Sequence, residues 1–144
     1  MFEGEYINGK RQGKGKEYLY GNLIFEGDYL NGEKNGFGKE YYQHGENKLM
    51  FEGEYLNGKK YKGKEYNYKG ELIFEGEFLN GKKWNGKGKE YDFEENLIFE
   101  GDYFNGEIHG KGKEYYDNKK IKFEGEYLYG FRWNGIIYNY NIQL

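Results

Sequence analysis

The 144-residue chain contains no cysteine and no proline, and alanine, valine, serine and threonine are absent as well. Without cysteine there is no disulfide framework and no thiolate-bound zinc. Without serine, threonine or cysteine the usual hydroxyl and thiol nucleophiles of enzymes are missing. These absences exclude the commonest forms of covalent catalysis. The lack of cysteine also fits a reducing compartment, and we expect a cytoplasmic protein, with the periphery of a membrane or of the cytoskeleton as the alternative location.

Long apolar runs and an excess of basic charge are also missing. No apolar run approaches the roughly 18–20 residues that span a bilayer. Met1 is followed at once by a repeated motif instead of a basic and then apolar leader, so we expect no secretory signal. The net charge of −3 argues against a nucleic-acid partner, because duplex binding usually needs a basic face. Aromatic residues make up 22% of the chain, which argues against disorder.

The abundant residues are arranged in one motif, written first as MFEGEYINGK and then as IFEGDYLNGE, MFEGEYLNGK, IFEGEFLNGK, IFEGDYFNGE and KFEGEYLYGF. Most copies continue into KGKEY or a near variant. A spacing of 23 to 26 residues between copies indicates a repeat array, and we predict a single array over residues 1–144. Its units begin at Phe2, Phe25, Phe51, Phe74, Phe99 and Phe123.

Each unit is predicted to form two strands joined by an Asn/Gly turn. Apolar and polar residues alternate with a period of two, as in Leu23 to Asn31, and the frequent mid-segment glycines do not fit a helix. One hairpin is marginal in water, so neighbouring hairpins must cover one another. The predicted fold class is all-β, an elongated single-sheet antiparallel β-meander of stacked hairpin repeats.

A hairpin register can also be predicted. If the turn is NGEKNG, residues 31–36, then Tyr29 lies opposite Gly38 and Asp28 lies opposite Lys39. The first pair would let an aromatic ring cover a strand glycine, and the second would be a favourable cross-strand ion pair.

The pattern (Y/F)-E-G-(E/D)-(Y/W)-x-N-G-x-x-x-G-x-G resembles the MORN repeat, and the resemblance covers nearly the whole chain. Two copies depart from the pattern. The third keeps only Gly63 of its GxG pair, and the sixth runs GFRWNGIIYNYNIQL, which indicates an apolar terminal cap over residues 131–144 instead of a full hairpin. The resemblance implies a scaffold, often at membrane–cytoskeleton junctions, and dimers formed through one end of the ribbon.

The sequence does not contain a pattern that indicates an active site. His44 and His109 lie in different repeats without other metal-binding residues around them, and we interpret both as solvated turn residues. Paired carboxylates such as Glu26 and Asp28 recur in all six copies, which is typical of a structural ladder and not of a single active site. GKGKEY lacks the hydroxyl residue and the helix of a phosphate-binding loop. We predict a non-enzymatic protein without cofactor or metal.

Three surfaces are candidates for binding. A column of rings could form a groove that grips a protein partner: Tyr6, Tyr29, Tyr55, Phe78, Tyr103 and Tyr127. Basic hairpin tips with aromatic neighbours could face anionic lipid: Lys59, Lys60, Lys82, Lys83, Trp84, Arg132 and Trp133. The apolar last turn could form a homodimer: Phe131, Trp133, Ile136, Ile137 and Tyr138.

The leading functional hypothesis is a non-catalytic protein-interaction or scaffold module whose protein partner the sequence does not name. Peripheral binding to anionic membrane lipids is the alternative. A further alternative is a role like that of bacterial immunity or antitoxin proteins, some of which carry repeats of a related kind.

Overall fold

A computed structural model describes residues 1–140, which form two compact units, unit 1 with residues 1–82 and unit 2 with residues 83–140. Residues 141–144, the last part of the predicted cap, lie outside the described residues. Every regular element among the described residues is a β-strand, so the predicted all-β class is confirmed. The prediction of one continuous array from residue 1 to residue 144 stays a prediction.

Unit 1 is an antiparallel meander in which each strand pairs with the next one along the chain. Its strands are β1 (Phe2–Ile7), β2 (Lys10–Leu19), β3 (Asn22–Leu30), β4 (Glu33–Tyr41), β5 (Leu49–Leu56), β6 (Lys59–Tyr66) and β7 (Leu72–Leu79).

Unit 2 has the same antiparallel order, again with pairing between consecutive strands. Its strands are β8 (Lys82–Tyr91, which begins at the last residue of unit 1), β9 (Leu97–Phe104), β10 (Glu107–Tyr115), β11 (Ile121–Leu128) and β12 (Phe131–Ile137). The sixth repeat therefore does form a hairpin, from β11 and β12. The ladder needs only backbone groups, so the loss of KGKEY does not prevent pairing.

The hairpin of β3 and β4 turns at an Asn–Gly pair and not across six residues, and the hairpin of β11 and β12 turns in the same way at Tyr129 and Gly130. Asn31 and Gly32 have φ of 53° and 93°, as a two-residue type I′ turn requires, and Glu33 already belongs to β4. The predicted register is wrong for this reason. Gly27, not Tyr29, pairs with Gly38.

The second strand of the hairpin has more residues than the first strand can pair with, and the extra residues form a bulge. Residues 35–37 of β4 lie opposite the single residue Asp28 of β3, and Gly36 takes a φ of 104° there. In the third repeat, whose second strand lacks one glycine, Tyr61 is the one extra residue of β6. The bulge restores the pairing beyond it, so that Glu26 and not Asp28 lies opposite Lys39.

A row of glycines, one from each strand, crosses unit 1. Consecutive strands bring together Gly4, Gly15, Gly27, Gly38, Gly53, Gly63 and Gly76. On the face that carries the leading phenylalanines, here called the ring face, the rings of these residues lie directly on the glycines. A Cβ atom added to Gly38 would lie 2.7 Å from the ring of Phe25. On the opposite face, here called the charged face, the glycine backbone is flanked by acidic and basic side chains.

Candidate interaction surfaces

In each unit the core is a column of aromatic rings on the face that carries the leading phenylalanines. In unit 1, Phe25 makes edge-to-face contacts with Tyr29 of its own repeat, at 5.6 Å between ring centroids, and with Tyr55 of the next repeat, at 5.3 Å. In unit 2, Phe99 contacts Tyr127 at 5.4 Å in the same way. Phe2 and Phe51 make the same kind of contact, with Tyr29 and Phe78, so a leading phenylalanine joins one repeat to the next within each unit.

The column of six rings predicted to form a partner groove is this core for the most part. Tyr29, Tyr55, Phe78 and Tyr127 are at most 5% exposed, Tyr103 is half-buried, and Tyr6 at the start of the column is 57% exposed. The prediction that these rings grip a protein partner is wrong for the four buried rings, because a partner cannot reach them. The sequence shows that rings recur on one face, but not that the next hairpin covers them.

Three tyrosine hydroxyls of the ring face, those of Tyr29, Tyr103 and Tyr127, donate hydrogen bonds to glutamates of KGKEY. Tyr29 donates a hydrogen bond to Glu17 over 2.5 Å, and Tyr127 donates one to Glu114 over 2.7 Å. Burial of the ring, followed by the hydrogen bond to the glutamate, raises the pKa of Tyr29 well above its usual range. These hydroxyls stay neutral at physiological pH and act as structural donors.

In four repeats a basic side chain at the ninth residue after the leading phenylalanine covers the ring of that phenylalanine, namely Arg11, Lys34, Lys60 and Arg132. The guanidinium carbon of Arg11 lies 4.3 Å from the ring centroid of Phe2, and one of its nitrogens is 2.7 Å from a carboxylate oxygen of Glu17. Lys34 repeats the arrangement, with its ammonium 3.9 Å from the ring centroid of Phe25. The combination of ring, cation and carboxylate is thus a building block of this fold.

The predicted lipid-facing tips fall into two groups. Lys59, Lys82 and Trp133 are exposed, and Lys83 and Trp84 are half-buried. Lys60 and Arg132 instead lie over the ring column and are not free tip charges. Lys60 pairs with Glu40 at 3.4 Å and with Glu65 at 3.6 Å, and Arg132 pairs with Glu114. The sequence interpretation missed this because the spacing of nine residues from the phenylalanine was not used.

The predicted dimer end is largely exposed. Along β12, Phe131 is 77% exposed, Trp133 70%, Ile136 59% and Ile137 66%. Tyr138 is half-buried, because its backbone N–H donates to the carbonyl of Lys122 and its own carbonyl accepts from the hydroxyl of Tyr116. The strand pairs with β11 along one edge.

The histidines are placed differently from each other. His44 is exposed in a loop, as interpreted from the sequence. His109 is half-buried between the rings of Phe104 and Tyr129, and its Nδ1 accepts a hydrogen bond from the backbone N–H of Tyr129 over 3.3 Å. His109 occupies the position in the bulge that Asn35 fills in the second repeat, where the amide oxygen of Asn35 accepts a hydrogen bond from the backbone N–H of Asn57. His109 therefore fastens one hairpin tip to the next.

The charged face of unit 1 carries one exposed aromatic residue that the sequence interpretation did not single out. Phe37 is 51% exposed on β4 and lies between two open grooves of about 420 and 430 Å³. Both grooves have the glycine row as part of their lining, together with lysine and glutamate side chains. The available signal was the spelling FGKEY in one repeat where others have KGKEY.

The chain belongs to the MORN-repeat family. The family model matches residues 2–21, 25–45, 74–92 and 99–120, which together make up more than half of the chain. The repeats that begin at Phe51 and Phe123 lie outside these stretches, and both have one extra residue in the bulge where the second repeat has three residues opposite one. MORN repeats are commonly protein- or membrane-interaction modules, and proteins built from them are generally not enzymes.

No curated protein matches this chain. Within residues 1–140 no helix is long and apolar enough to cross a membrane. Over the same residues, histidine, aspartate and glutamate side chains nowhere form a group of three or more that could hold a metal ion.

Proposed function

We propose that the protein is a non-catalytic interaction module that associates with a second copy of itself through β12, antiparallel to the β12 of that copy. The observation that carries the proposal is the exposure of all four large apolar side chains of this strand, between 59% and 77%. An uncovered edge strand with apolar side chains is a template for pairing with another chain.

The charge pattern of β12 favours a second copy as the occupant. The equivalent strands of the earlier repeats carry two or more lysines, so that two copies of such a strand would place like charges near each other. In β12 the lysines are replaced by Asn134 and Ile136, and the glutamate by Ile137. The one remaining charge, Arg132, is directed at Glu114 of the preceding hairpin. A strand without outward charges can pair with itself at no electrostatic cost.

The interface expected from one seven-residue strand is small, so we expect a reversible dimer whose population depends on concentration. Sedimentation velocity over a concentration series tests this. The double variant Ile136→Lys, Ile137→Lys should sediment as a monomer at every concentration at which the original chain forms dimers. The two added lysines of one copy would lie near the two added lysines of the other copy, and their positive charges would repel each other.

The control is the double variant Leu30→Lys, Leu56→Lys, which adds the same charge at two exposed leucines of unit 1, 46% and 51% exposed. It should dimerise like the original chain. A monomeric original chain at all concentrations, or equal dimerisation of both double variants, contradicts the proposal.

Binding to anionic lipid is the weaker alternative. Its support is limited to the exposed tips Lys59 and Lys82, since Lys60 and Arg132 are engaged in ion pairs. Co-sedimentation with vesicles containing anionic lipid at low and high salt is the direct test of this alternative, and a role like that of immunity proteins stays a prediction from resemblance.

A further inference from the structure

Five hairpin turns of the chain consist of the same Asn–Gly dipeptide, which is prone to deamidation because glycine has no side chain to shield the amide nitrogen. The five asparagines are exposed, and their φ angles lie between 50° and 53°: Asn8, Asn31, Asn57, Asn80 and Asn105. Three further Asn–Gly pairs, at Asn35, Asn85 and Asn134, lie within paired strands. Dipeptide, exposure and asparagine conformation do not distinguish the five turns, so any difference in reactivity must come from the contacts of each turn.

Three of these turns are held by two hydrogen bonds to the hairpin that precedes them. The N–H of Gly58 donates to the carbonyl of Lys34 over 2.9 Å, and the N–H of Asn57 donates to the side-chain oxygen of Asn35 over 3.2 Å. The turns at Asn31 and Asn105 are held in the same way. The two bonds fix the peptide groups on both sides of the asparagine.

The turn at Asn80 lacks both bonds. In the preceding hairpin the position of Asn35 is filled by Tyr61, whose side chain has no amide oxygen. Within residues 1–140 the backbone N–H groups of Asn80 and Gly81 have no hydrogen-bond acceptor. The side chain of Asn80 has one contact, from the ammonium of Lys59 to its Oδ1 over 3.5 Å. This contact leaves the backbone of the turn unheld, and the positive charge draws electron density from the amide carbon.

We infer that Asn80 is a site of spontaneous deamidation and isomerisation in the folded protein. The backbone nitrogen of Gly81 loses its proton and forms a bond to the side-chain carbonyl carbon of Asn80. The bond from that carbon to the side-chain nitrogen breaks, and the nitrogen leaves as ammonia after taking up a proton. A water molecule then opens the resulting succinimide at either carbonyl, which gives aspartate or isoaspartate.

The missing hydrogen bonds matter because the attack requires the peptide group between Asn80 and Gly81 to rotate out of the turn. The same rotation at Asn57 must first break the bonds to Lys34 and Asn35, whereas at Asn80 there are no such bonds to break. Two exposed hydrogen bonds of ordinary strength should slow this local opening about tenfold.

The reaction changes the tip in two ways. Both products place a negative charge next to Lys59 and at the tip that carries Lys82, which reduces the basic charge on which the lipid alternative depends. Isoaspartate also adds one atom to the backbone of a two-residue turn, whose length sets the register of the hairpin.

Asn57 is the matched control for Asn80, because both lie in the sequence Leu-Asn-Gly-Lys. The full chain is incubated at mildly alkaline pH and digested with trypsin, and mass spectrometry follows the conversion of each asparagine. In the folded chain Asn80 should convert about tenfold faster than Asn57. In the chain unfolded by urea the two should convert at the same rate, because their neighbours in the sequence are the same.

A variant tests the role of the hydrogen bonds directly. Asn35→Ala removes the side-chain acceptor of Asn57 and should raise the rate at Asn57 about threefold, with no change at Asn80. Gln12→Ala is its control, because it removes the acceptor of Asn31 and should raise the rate at Asn31 but not at Asn57.

Equal rates at Asn80 and Asn57 in the folded chain would overturn the inference, and so would a difference that persists in urea. A rate at Asn57 that Asn35→Ala leaves unchanged would show that the hydrogen bonds do not protect the turn. The inference does not depend on self-association through β12, because the comparison is between two turns of unit 1.

Discussion

Replacing Gly53 by alanine tests whether the glycine row is required by close packing. In an ordinary strand this change is favourable by about 0.5–1 kcal/mol, because alanine loses less backbone entropy on folding than glycine. At Gly53 an added Cβ would lie 2.2 Å from the carbonyl oxygen of Lys62, 2.6 Å from the Cα of Gly63 and 2.9 Å from the ring of Phe51. Two of these three neighbours are backbone atoms of the paired strand and cannot rotate away.

The expected loss in the free energy of unfolding can be worked out from how far the strands must move to make room for the methyl group. Ordinary contacts of a Cβ begin near 3.4 Å, so β5 and β6 must separate by about 1 Å, which lengthens ladder hydrogen bonds and lifts the fully buried ring of Phe51. Overpacking of this kind costs about 1–3 kcal/mol, and weakened pairing adds to it. We expect a net loss of about 2–3 kcal/mol in the free energy of unfolding.

Urea unfolding followed by far-UV circular dichroism measures this loss, since the signal comes from the strands themselves. With a slope near 1.5 kcal/mol per molar urea, the midpoint should fall by roughly 1.5–2 M. The control is Gly45→Ala in the loop after β4, where the three atoms nearest to the added Cβ all belong to the side chain of Lys48, the closest at 3.1 Å. Its free energy of unfolding should stay within about 0.5 kcal/mol of that of the original chain. An unchanged or raised midpoint for Gly53→Ala would refute the reasoning.

Two further predictions concern pH. The hydrogen bond from Arg132 lowers the pKa of Glu114, and this effect is larger than that of burial, which raises it. The pair therefore stabilises the fold at pH values above the pKa of the unfolded carboxyl group. This contribution is lost as the pH falls from about 5 to about 2. Arg132→Met should therefore cost about 1 kcal/mol at pH 7 and little at pH 2 in urea unfolding, and an equal cost at both pH values would contradict this. Burial, then the hydrogen bond to Glu52, raises the pKa of Tyr66 to about 12. The neutral hydroxyl of Tyr66 therefore stabilises the folded state by about 1 kcal/mol after solvent screening. This contribution is fully present below about pH 10 and is lost as the pH rises to about 12. Tyr66→Phe should show a smaller drop in unfolding free energy over that interval than the original chain, and parallel curves for the two would show that the hydroxyl is not involved.

The binding surfaces were only partly predictable from the sequence. The exposed apolar end at Phe131 and Ile136 was visible from composition, because no later strand covers it among the described residues. The inward direction of Lys60 was not, since it depends on a ring and two carboxylates from separate strands. The exposure of Phe37 could not be predicted either. A phenylalanine in an aromatic-rich repeat is expected to lie in the core, and only the position of the bulge shows that Phe37 lies on the opposite face.

The sequence by itself determined the hairpins of this protein and where they turn, because an Asn–Gly pair such as Asn31–Gly32 carries its left-handed backbone preference locally. The period of two determined which residues share a face. Only the tertiary structure decided the register, because the extra residues after each turn could have widened the loop or formed a bulge. The bulge prevails because it lets Gly27 pair with Gly38 beneath the ring of Phe25, a contact between residues that lie far apart in the chain and meet only when the strands are assembled.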